Sequence, residues 1–275
     1  MNSRLILSMV LACAAVVAQG ADILPQCRGG AIPQAGPPDT ALFVAIDATT
    51  PLDADLRQQV LDHIKPFLVA GNTIAVAVFP SAEKTPQPDL VLSGRLDTPL
   101  DSATRGALSK SLLARFDQCL LTQKQMARQY TAQALKRLFD TATGSTGQTE
   151  VMGSMRALSQ AVQASTARNK VVLVVSDMLE HSEAGDFYAD HRRTVRRVDP
   201  VQELRMADSR HLFGDFGGAR VYVLAAGVLP DGGKVKPESD RRAMQLLRDF
   251  WSGYFGKSHA QLADFGQVEL EQPMR

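Results

Sequence analysis

Two aspartates that end strongly apolar stretches are the best candidates for chemistry in this sequence. Asp47 follows the apolar run 41–46, and Asp177 follows the run 171–175 and Ser176. In an open parallel sheet, the carboxyl ends of the strands form the crevice where ligands bind. We therefore expect both carboxylates to lie in one small polar site that suits a cation.

Hydroxyl groups accompany both aspartates. Thr49 and Thr50 follow the first aspartate, Ser176 precedes the second, and Thr149 lies in a loop before a predicted helix. Hard divalent cations prefer carboxylate and hydroxyl oxygens, so these ligands suit Mg²⁺ or Ca²⁺ better than zinc. A cation would also offset the repulsion between the two carboxylates. In an alternative interpretation, the aspartates cap neighbouring helices or accept hydrogen bonds from loop amides.

Apolar strands that alternate with amphipathic helices predict the scaffold for these residues. The predicted strands are 41–46, 73–79, 89–96, 170–176, 220–226 and 266–271. The predicted helices are 53–69, 102–141, 150–165 and 238–256, with 102–141 divided into two helices near 119–122. Prolines between the second and third strands favour a hairpin-like edge. The order predicts an α/β fold: a doubly wound, mainly parallel central sheet flanked by helices in a three-layer sandwich.

The remaining segments define the organisation of the chain. Residues 21–40, rich in proline and glycine, are predicted to form an extended leader. Residues 41–275 are predicted to form a single domain with a polar insertion at about 182–218. The insertion carries the pairs Arg192-Arg193 and Arg196-Arg197 and shows no strand pattern.

Residues 1–20 have the pattern of a secretory signal peptide. Arg4 precedes the apolar run 5–17, and Ala18-Gln19-Gly20 forms a small-residue cleavage site. The run is too short to span a bilayer comfortably. We therefore expect a periplasmic or secreted protein with no transmembrane segment after cleavage. Lipidation at Cys13, through a loose lipoprotein signal, is the alternative.

Two cysteines remain after cleavage, Cys27 and Cys119. An even number of cysteines in an exported chain favours a disulfide, which here would tie the leader to a helix. Two unpaired thiols are the alternative interpretation. A zinc site is not indicated, because the histidines show no metal-binding spacing.

Charge and motif patterns narrow the class of function. Removal of Arg4 with the signal peptide lowers the count of basic residues from 30 to 29, equal to the 29 acidic residues. A balanced chain has no electrostatic reason to bind nucleic acid. Ser176 lacks the Gly-x-Ser-x-Gly turn of hydrolases, and no glycine-rich nucleotide fingerprint follows a strand. These patterns favour a non-enzymatic protein that binds proteins or small ligands.

The order of elements and the polar residues together resemble a von Willebrand factor type A domain and its metal-ion-dependent adhesion site. Asp47 and Thr49 match the start of the Asp-x-Ser-x-Ser motif of that family, although Pro51 occupies the second serine position. Thr149 matches the loop threonine of the family. Ser176-Asp177-Met178 stands where the family usually has Thr-Asp-Gly. The resemblance covers roughly residues 40–272.

The resemblance implies an exported, non-enzymatic module that mediates metal-dependent protein–protein interaction or adhesion. Asp47, Thr49, Thr149 and Asp177 would hold a hydrated Mg²⁺ or Ca²⁺, and an acidic side chain of a protein partner would complete its coordination. A second hypothesis is a structural component of an envelope secretion or conjugation assembly, in which the metal site is vestigial. A third, a metal-assisted hydrolase, uses the same carboxylates but lacks an evident general base.

Overall fold

A six-stranded sheet forms the centre of the protein. The computed structural model describes residues 24–79, 88–141, 148–229 and 240–275, so the predicted signal peptide at 1–20, with Cys13, lies outside the described residues. The sheet strands are β1 (Thr40–Asp47), β2 (Thr73–Phe79), β3 (Asp89–Arg95), β4 (Asn169–Val175), β9 (Arg220–Leu224) and β10 (Gln261–Gly266). Their order is β10-β9-β4-β1-β2-β3, and only β2 and β3 are antiparallel neighbours. The predicted doubly wound α/β fold, with its mainly parallel sheet, is confirmed.

Helices cover both faces of this sheet and complete the three layers. The helices are α1 (Ala54–Ile64), α2 (Ser102–Ala107), α3 (Lys110–Thr141), α4 (Val151–Ala164), α5 (Pro200–Ser209) and α6 (Arg241–Lys257). Helices α1 and α3 pack on one face, and α4 and α6 pack on the other. Helix α1 begins directly after the loop that follows β1, because Asp53 accepts a hydrogen bond from the Leu56 amide at 2.9 Å and so caps the helix.

The central strand β1 shows why the apolar runs form this sheet. Its residues 41–46 are all buried and alternate between two cores. Leu42, Val44 and Ile46 pack towards α1 and α3, whereas Phe43 packs towards α4 and α6. A strand covered on both faces needs apolar residues at every position, because each fully buried aliphatic side chain contributes about 1.5 to 3 kcal/mol. Its carboxyl end, Asp47, is the first position where this apolar run stops.

Three predictions about individual segments were wrong. Helix α3 runs without a break through 119–122. The break lies earlier, between α2 and α3, where the Ser109 hydroxyl accepts a hydrogen bond from the Leu112 amide in the first turn of α3. No glycine or proline lies within α3 to interrupt it. The last strand begins at Gln261 rather than at Gly266. The segment 182–218, which shows no strand pattern, contains short strands as well as α5.

Short two-residue hairpins form the first part of the insertion. They are β5 (His181–Ser182) with β6 (Gly185–Asp186), and β7 (Tyr188–Ala189) with β8 (Thr194–Val195). Strands this short have no periodic pattern to detect, because they contain a single pair of inward and outward positions. Phe187 and Val195 are nevertheless buried in the core beneath α6, so the insertion is part of the domain rather than an appendage.

The described part of the leader packs against α3 and is covalently attached to it. Cys27 and Cys119 form the predicted disulfide, with a Cα–Cα distance of 5.6 Å. Arg28 lies 3.4 Å from the carboxylate of Asp97, and this pair is almost fully buried. Gln123 on α3 donates to Asp97 and to the Pro25 carbonyl. Among the described residues, no helix combines the length and apolar character needed to cross a bilayer.

Candidate functional site

The topology brings the two candidate aspartates to the same edge of the sheet. Strands β1 and β4 are parallel neighbours, and Ile46 pairs with Val175 at their carboxyl ends. Asp47 ends β1, and Asp177 follows β4 after Ser176. Both aspartates are buried, at 1% and 2% exposure. The predicted convergence of these residues at one end of the sheet is therefore present in the structure.

Asp47 accepts hydrogen bonds at both carboxylate oxygens. Its Oδ1 receives the Thr49 amide at 2.8 Å and the Thr49 hydroxyl at 2.7 Å. Its Oδ2 receives the Ser176 hydroxyl at 2.8 Å. The Ser176 hydroxyl oxygen in turn accepts the Met178 amide at 3.0 Å. Asp47 thus joins the loop after β1 to the loop after β4.

Thr149 joins the cluster from the loop that precedes α4. Its hydroxyl oxygen lies 3.0 Å from that of Thr49. Because Thr49 donates its single hydroxyl proton to Asp47, Thr149 is the donor in this pair. Backbone hydrogen bonds with His181, of 2.9 and 3.0 Å, fix the position of Thr149. Three of the four predicted metal ligands therefore form one hydrogen-bonded chain of oxygens.

Asp177, the fourth predicted ligand, lies next to this cluster but has other partners. Its Oδ1 accepts the Leu179 amide at 2.9 Å, and its Oδ2 accepts the hydroxyl of Tyr188 at 2.6 Å. Its own amide donates to the Thr50 hydroxyl at 3.0 Å. Thr50 therefore contributes by holding the Asp177 backbone in place. Both aspartates accept the amide two residues ahead, as the alternative interpretation of the sequence expects.

The electrostatics of the site differ between the two carboxylates. Burial, followed by the negative charge of Asp47, raises the pKa of Asp177 to about 8. Asp177 is therefore mostly protonated at neutral pH, which removes the repulsion between the two buried carboxyl groups. Burial and the neighbouring Asp177 also raise the pKa of Tyr188, so that its phenol remains a hydrogen-bond donor. A cation held directly by Asp177 would have to displace this proton.

Tyr188 contacts the candidate site although no sequence pattern predicts it there. It lies on β7 in the insertion, and its ring is covered by the guanidinium of Arg192, 4.8 Å from the ring centroid. No motif identifies this tyrosine, because its contact with Asp177 depends on the path of the insertion over the edge of the sheet. A buried tyrosine hydroxyl usually finds a hydrogen-bond partner, but the sequence does not show which one.

The loop after β4 has an unusual backbone. Met178 has φ 59°, in the left-handed region that favours glycine. It occupies the position at which von Willebrand factor type A domains usually have glycine. Its side chain is fully buried, and its carbonyl accepts the indole N–H of Trp251 at 2.9 Å. Trp251 is the only tryptophan in the sequence. The core beneath α6 therefore contacts the residue directly after Asp177.

The donor atoms fit a hard cation only in part. The oxygens of Asp47, Thr49 and Thr149 are the ligand type that Mg²⁺ and Ca²⁺ prefer. The carboxylate oxygens of Asp177 instead face Tyr188 and the Leu179 amide. Within the described ranges, no group of three or more His, Cys, Asp or Glu side chains could hold a metal ion. Hydroxyls and water would therefore have to supply most of the coordination, and metal binding stays a prediction.

Comparisons with known proteins add little to this description. No protein-family model matches the sequence, and no curated protein matches it. Among solved structures, the conserved hypothetical protein BatB from Bacteroides thetaiotaomicron is 9% identical, with a TM-score of 0.34 over 77% of this chain and 87% of that chain. An aerotolerance-related membrane protein from Bacteroides fragilis is 11% identical, with a TM-score of 0.32 over 77% and 88%. Likenesses this distant do not bear on function.

Proposed function

We propose that this chain is an exported, non-enzymatic binding module, similar to a von Willebrand factor type A domain, that recognises a protein partner at the carboxyl edge of its sheet. The observation that carries the proposal is the continuous oxygen chain from Thr149 through Thr49 to Asp47, at the meeting point of β1, β4 and the loop before α4. The Cys27–Cys119 disulfide supports an oxidising location, periplasmic or extracellular.

In this proposal, Asp47, Thr49 and Thr149 hold Mg²⁺ or Ca²⁺, and Asp177 contributes through water. When bound, the cation supplies an open coordination position for an acidic side chain of the partner. Asp47 carries the charge of the site, and its Oδ1 accepts the Thr49 hydroxyl, which in turn accepts a hydrogen bond from Thr149. Ser176 is a positioning residue, because its hydroxyl is committed to Asp47 and to the Met178 amide rather than to nucleophilic attack.

The first test is the response of thermal stability to Mg²⁺ in the wild type and in Asp47→Asn. A ligand that binds the native state alone stabilises it by about 2.7 kcal/mol at 100 times its Kd, so Mg²⁺ should raise the Tm of the wild type and EDTA should reverse the rise. The Asp47→Asn variant, which keeps the size and one acceptor of the side chain, should show no rise.

The matched control is Asp53→Asn, which removes the same charge from an exposed residue that caps α1. This control should respond to Mg²⁺ as the wild type does. A Tm that rises equally in Asp47→Asn and in the wild type would place the cation elsewhere. A wild-type Tm that is the same in Mg²⁺ and in EDTA would end the metal-dependent proposal.

A second candidate function is a metal-independent structural component of an envelope secretion or conjugation assembly. It is favoured by one observation: all four carboxylate oxygens of Asp47 and Asp177 accept hydrogen bonds from the protein itself. Under this hypothesis the buried aspartates hold loops together, and the insertion docks on a neighbouring protein. The Mg²⁺ experiment separates the two candidates, because only the first expects a response to the cation.

A further inference from the structure

A hairpin of the insertion reaches over the carboxyl edge of the sheet and touches the candidate site. Its base is fixed in the core: Phe187 is fully buried, and its ring meets that of Phe250 edge to face, with centroids 5.1 Å apart. The Phe187 amide also donates to the Glu180 carbonyl at 2.8 Å. The next residue, Tyr188, projects its hydroxyl to Asp177 Oδ2 at 2.6 Å. The packing of Phe187 thus fixes the position of the Tyr188 hydroxyl beside Asp177.

The turn of this hairpin has a strained backbone. Three consecutive residues, Asp190, His191 and Arg192, have φ of 50°, 56° and 66°. Non-glycine residues in this region are uncommon, and such strain persists only where surrounding contacts hold it. One such contact is the guanidinium of Arg192 over the ring of Tyr188. The turn therefore contacts the tyrosine ring through Arg192.

We propose that Tyr188 is an internal latch of the site: its hydroxyl occupies Asp177, and a cation or partner must displace it before Asp177 can take part in binding. The inference rests on the proposed function, since it describes regulation of the same site. Both carboxyl oxygens of Asp177 already accept a hydrogen bond from the protein: Oδ1 accepts the Leu179 amide, and Oδ2 accepts the Tyr188 hydroxyl. A bound water cannot donate to Oδ2 along the direction that the phenol uses.

The substitution Tyr188→Phe isolates the latch. It removes the donor to Asp177 and keeps the ring, so the contact with Arg192 is retained. The matched control is Tyr222→Phe, which removes a tyrosine hydroxyl that accepts the Arg275 amide at 3.2 Å, away from the aspartates. Both variants lose one hydroxyl from a buried ring.

The experiment titrates MgCl₂ into the wild type and both variants, with calorimetry and Trp251 fluorescence as readouts. Trp251 reports on the site because it donates to the carbonyl of Met178, next to Asp177. We expect Tyr188→Phe to bind Mg²⁺ about tenfold more tightly than the wild type, because the hydrogen bond from Tyr188 to Asp177 no longer has to be broken and tenfold is the upper end of what one hydrogen bond contributes. Tyr222→Phe should bind as the wild type does. Unchanged or weaker binding by Tyr188→Phe would overturn the latch while leaving the metal site standing.

A second experiment, without metal, distinguishes failure of the latch from failure of the metal site. Hydrogen exchange of the Leu179 amide and of the β7–β8 hairpin should be faster in Tyr188→Phe than in the wild type or in Tyr222→Phe, because the bond that joins hairpin and site is lost. If neither the wild type nor Tyr188→Phe binds Mg²⁺, the cation site fails and this experiment decides on the latch. Equal exchange in all three proteins would overturn it.

Discussion

Asp47 and Asp177 show how two residues of one type acquire different roles from their neighbours. Asp47 receives three donors from two loops, which is the environment of a fixed carboxylate. Asp177 has two donors and a pKa raised to about 8 by burial and by the charge of Asp47. The Thr49 hydroxyl is hydrogen-bonded to both Asp47 and Thr149, so its removal should break the oxygen chain.

Removing the Thr49 hydroxyl alone should destabilise the fold. Thr49→Val keeps the shape of the side chain but leaves Asp47 with one donor fewer and the Thr149 hydroxyl without its acceptor. We expect the free energy of unfolding to fall by about 1 to 3 kcal/mol, whereas Thr49→Ser should stay close to the wild type. Urea denaturation followed by Trp251 fluorescence measures the difference.

Thr122→Val on α3 is the control, since its hydroxyl donates to the Gln118 carbonyl at an exposed position. It should change the free energy of unfolding by no more than about 0.5 kcal/mol. If Thr49→Val were as stable as Thr49→Ser, the hydroxyl would contribute nothing to the cluster. The oxygen chain would then be a consequence of the fold rather than one of its supports.

At the scale of elements, the sequence predicts most of the sheet, because its strands are continuous apolar runs. β1, β2, β3 and β4 match their predicted positions closely. The last strand was misplaced because Asp264 interrupts its apolar pattern; this buried aspartate accepts the Phe265 and Gln272 amides, which local sequence cannot reveal. The helix break near 119–122 was wrong because the cysteine there fits a continuous helix as well as a loop.

The part of the candidate site that lies at the ends of predicted strands could be predicted from the sequence. The ends of β1 and β4 and the loop before α4 predict that Asp47, Thr149 and Asp177 converge, as observed. The hydrogen bonds of Asp177 were not predictable, because its partner Tyr188 lies in a segment without periodic pattern. Non-local packing of Phe187 decides where that tyrosine goes.

The start of α4 provides a prediction at this scale. Glu180, which follows the loop of Asp177, accepts the Met152 amide at 2.8 Å and a hydrogen bond from the Ser182 hydroxyl. Burial raises its pKa to about 7 from 4.5. The folded protein therefore binds more protons than the unfolded chain between these values, and stability falls as pH rises from about 4.5 to about 7.

Glu180→Gln keeps an acceptor for the Met152 amide and removes this titration. We expect the stability of Glu180→Gln relative to the wild type to increase by up to about 3 kcal/mol between pH 4.5 and pH 7.5, and then to level off. Urea denaturation at a series of pH values measures it. The control, Glu183→Gln at an exposed position, should run parallel to the wild type. A difference that is independent of pH would contradict the assignment.

At the scale of the whole molecule, the hydrophobic core is divided. Two large clusters cover the faces of the sheet, and Trp251 lies in the one beneath α6. Two small clusters lie between the leader and α3: one contains Leu24 and the other contains Ile32 and Phe116. Their few apolar residues contribute little burial, so the attachment of the leader depends more on Arg28 and the disulfide.

This division predicts that loss of the disulfide releases the leader before it affects the sheet. The bridge closes a separation of 92 residues, which corresponds to about 4 to 5 kcal/mol in the chain-entropy model. In Cys27→Ser/Cys119→Ser, trypsin should cleave at Arg28, which is protected in the wild type by burial and by its pairing with Asp97. Trp251 fluorescence should stay native, because the clusters that hold the leader do not include it. Adding reductant should produce the same cleavage in the wild type and no further change in the double variant. If Trp251 fluorescence were lost together with the release of the leader, the small clusters would belong to the same cooperative unit as the sheet.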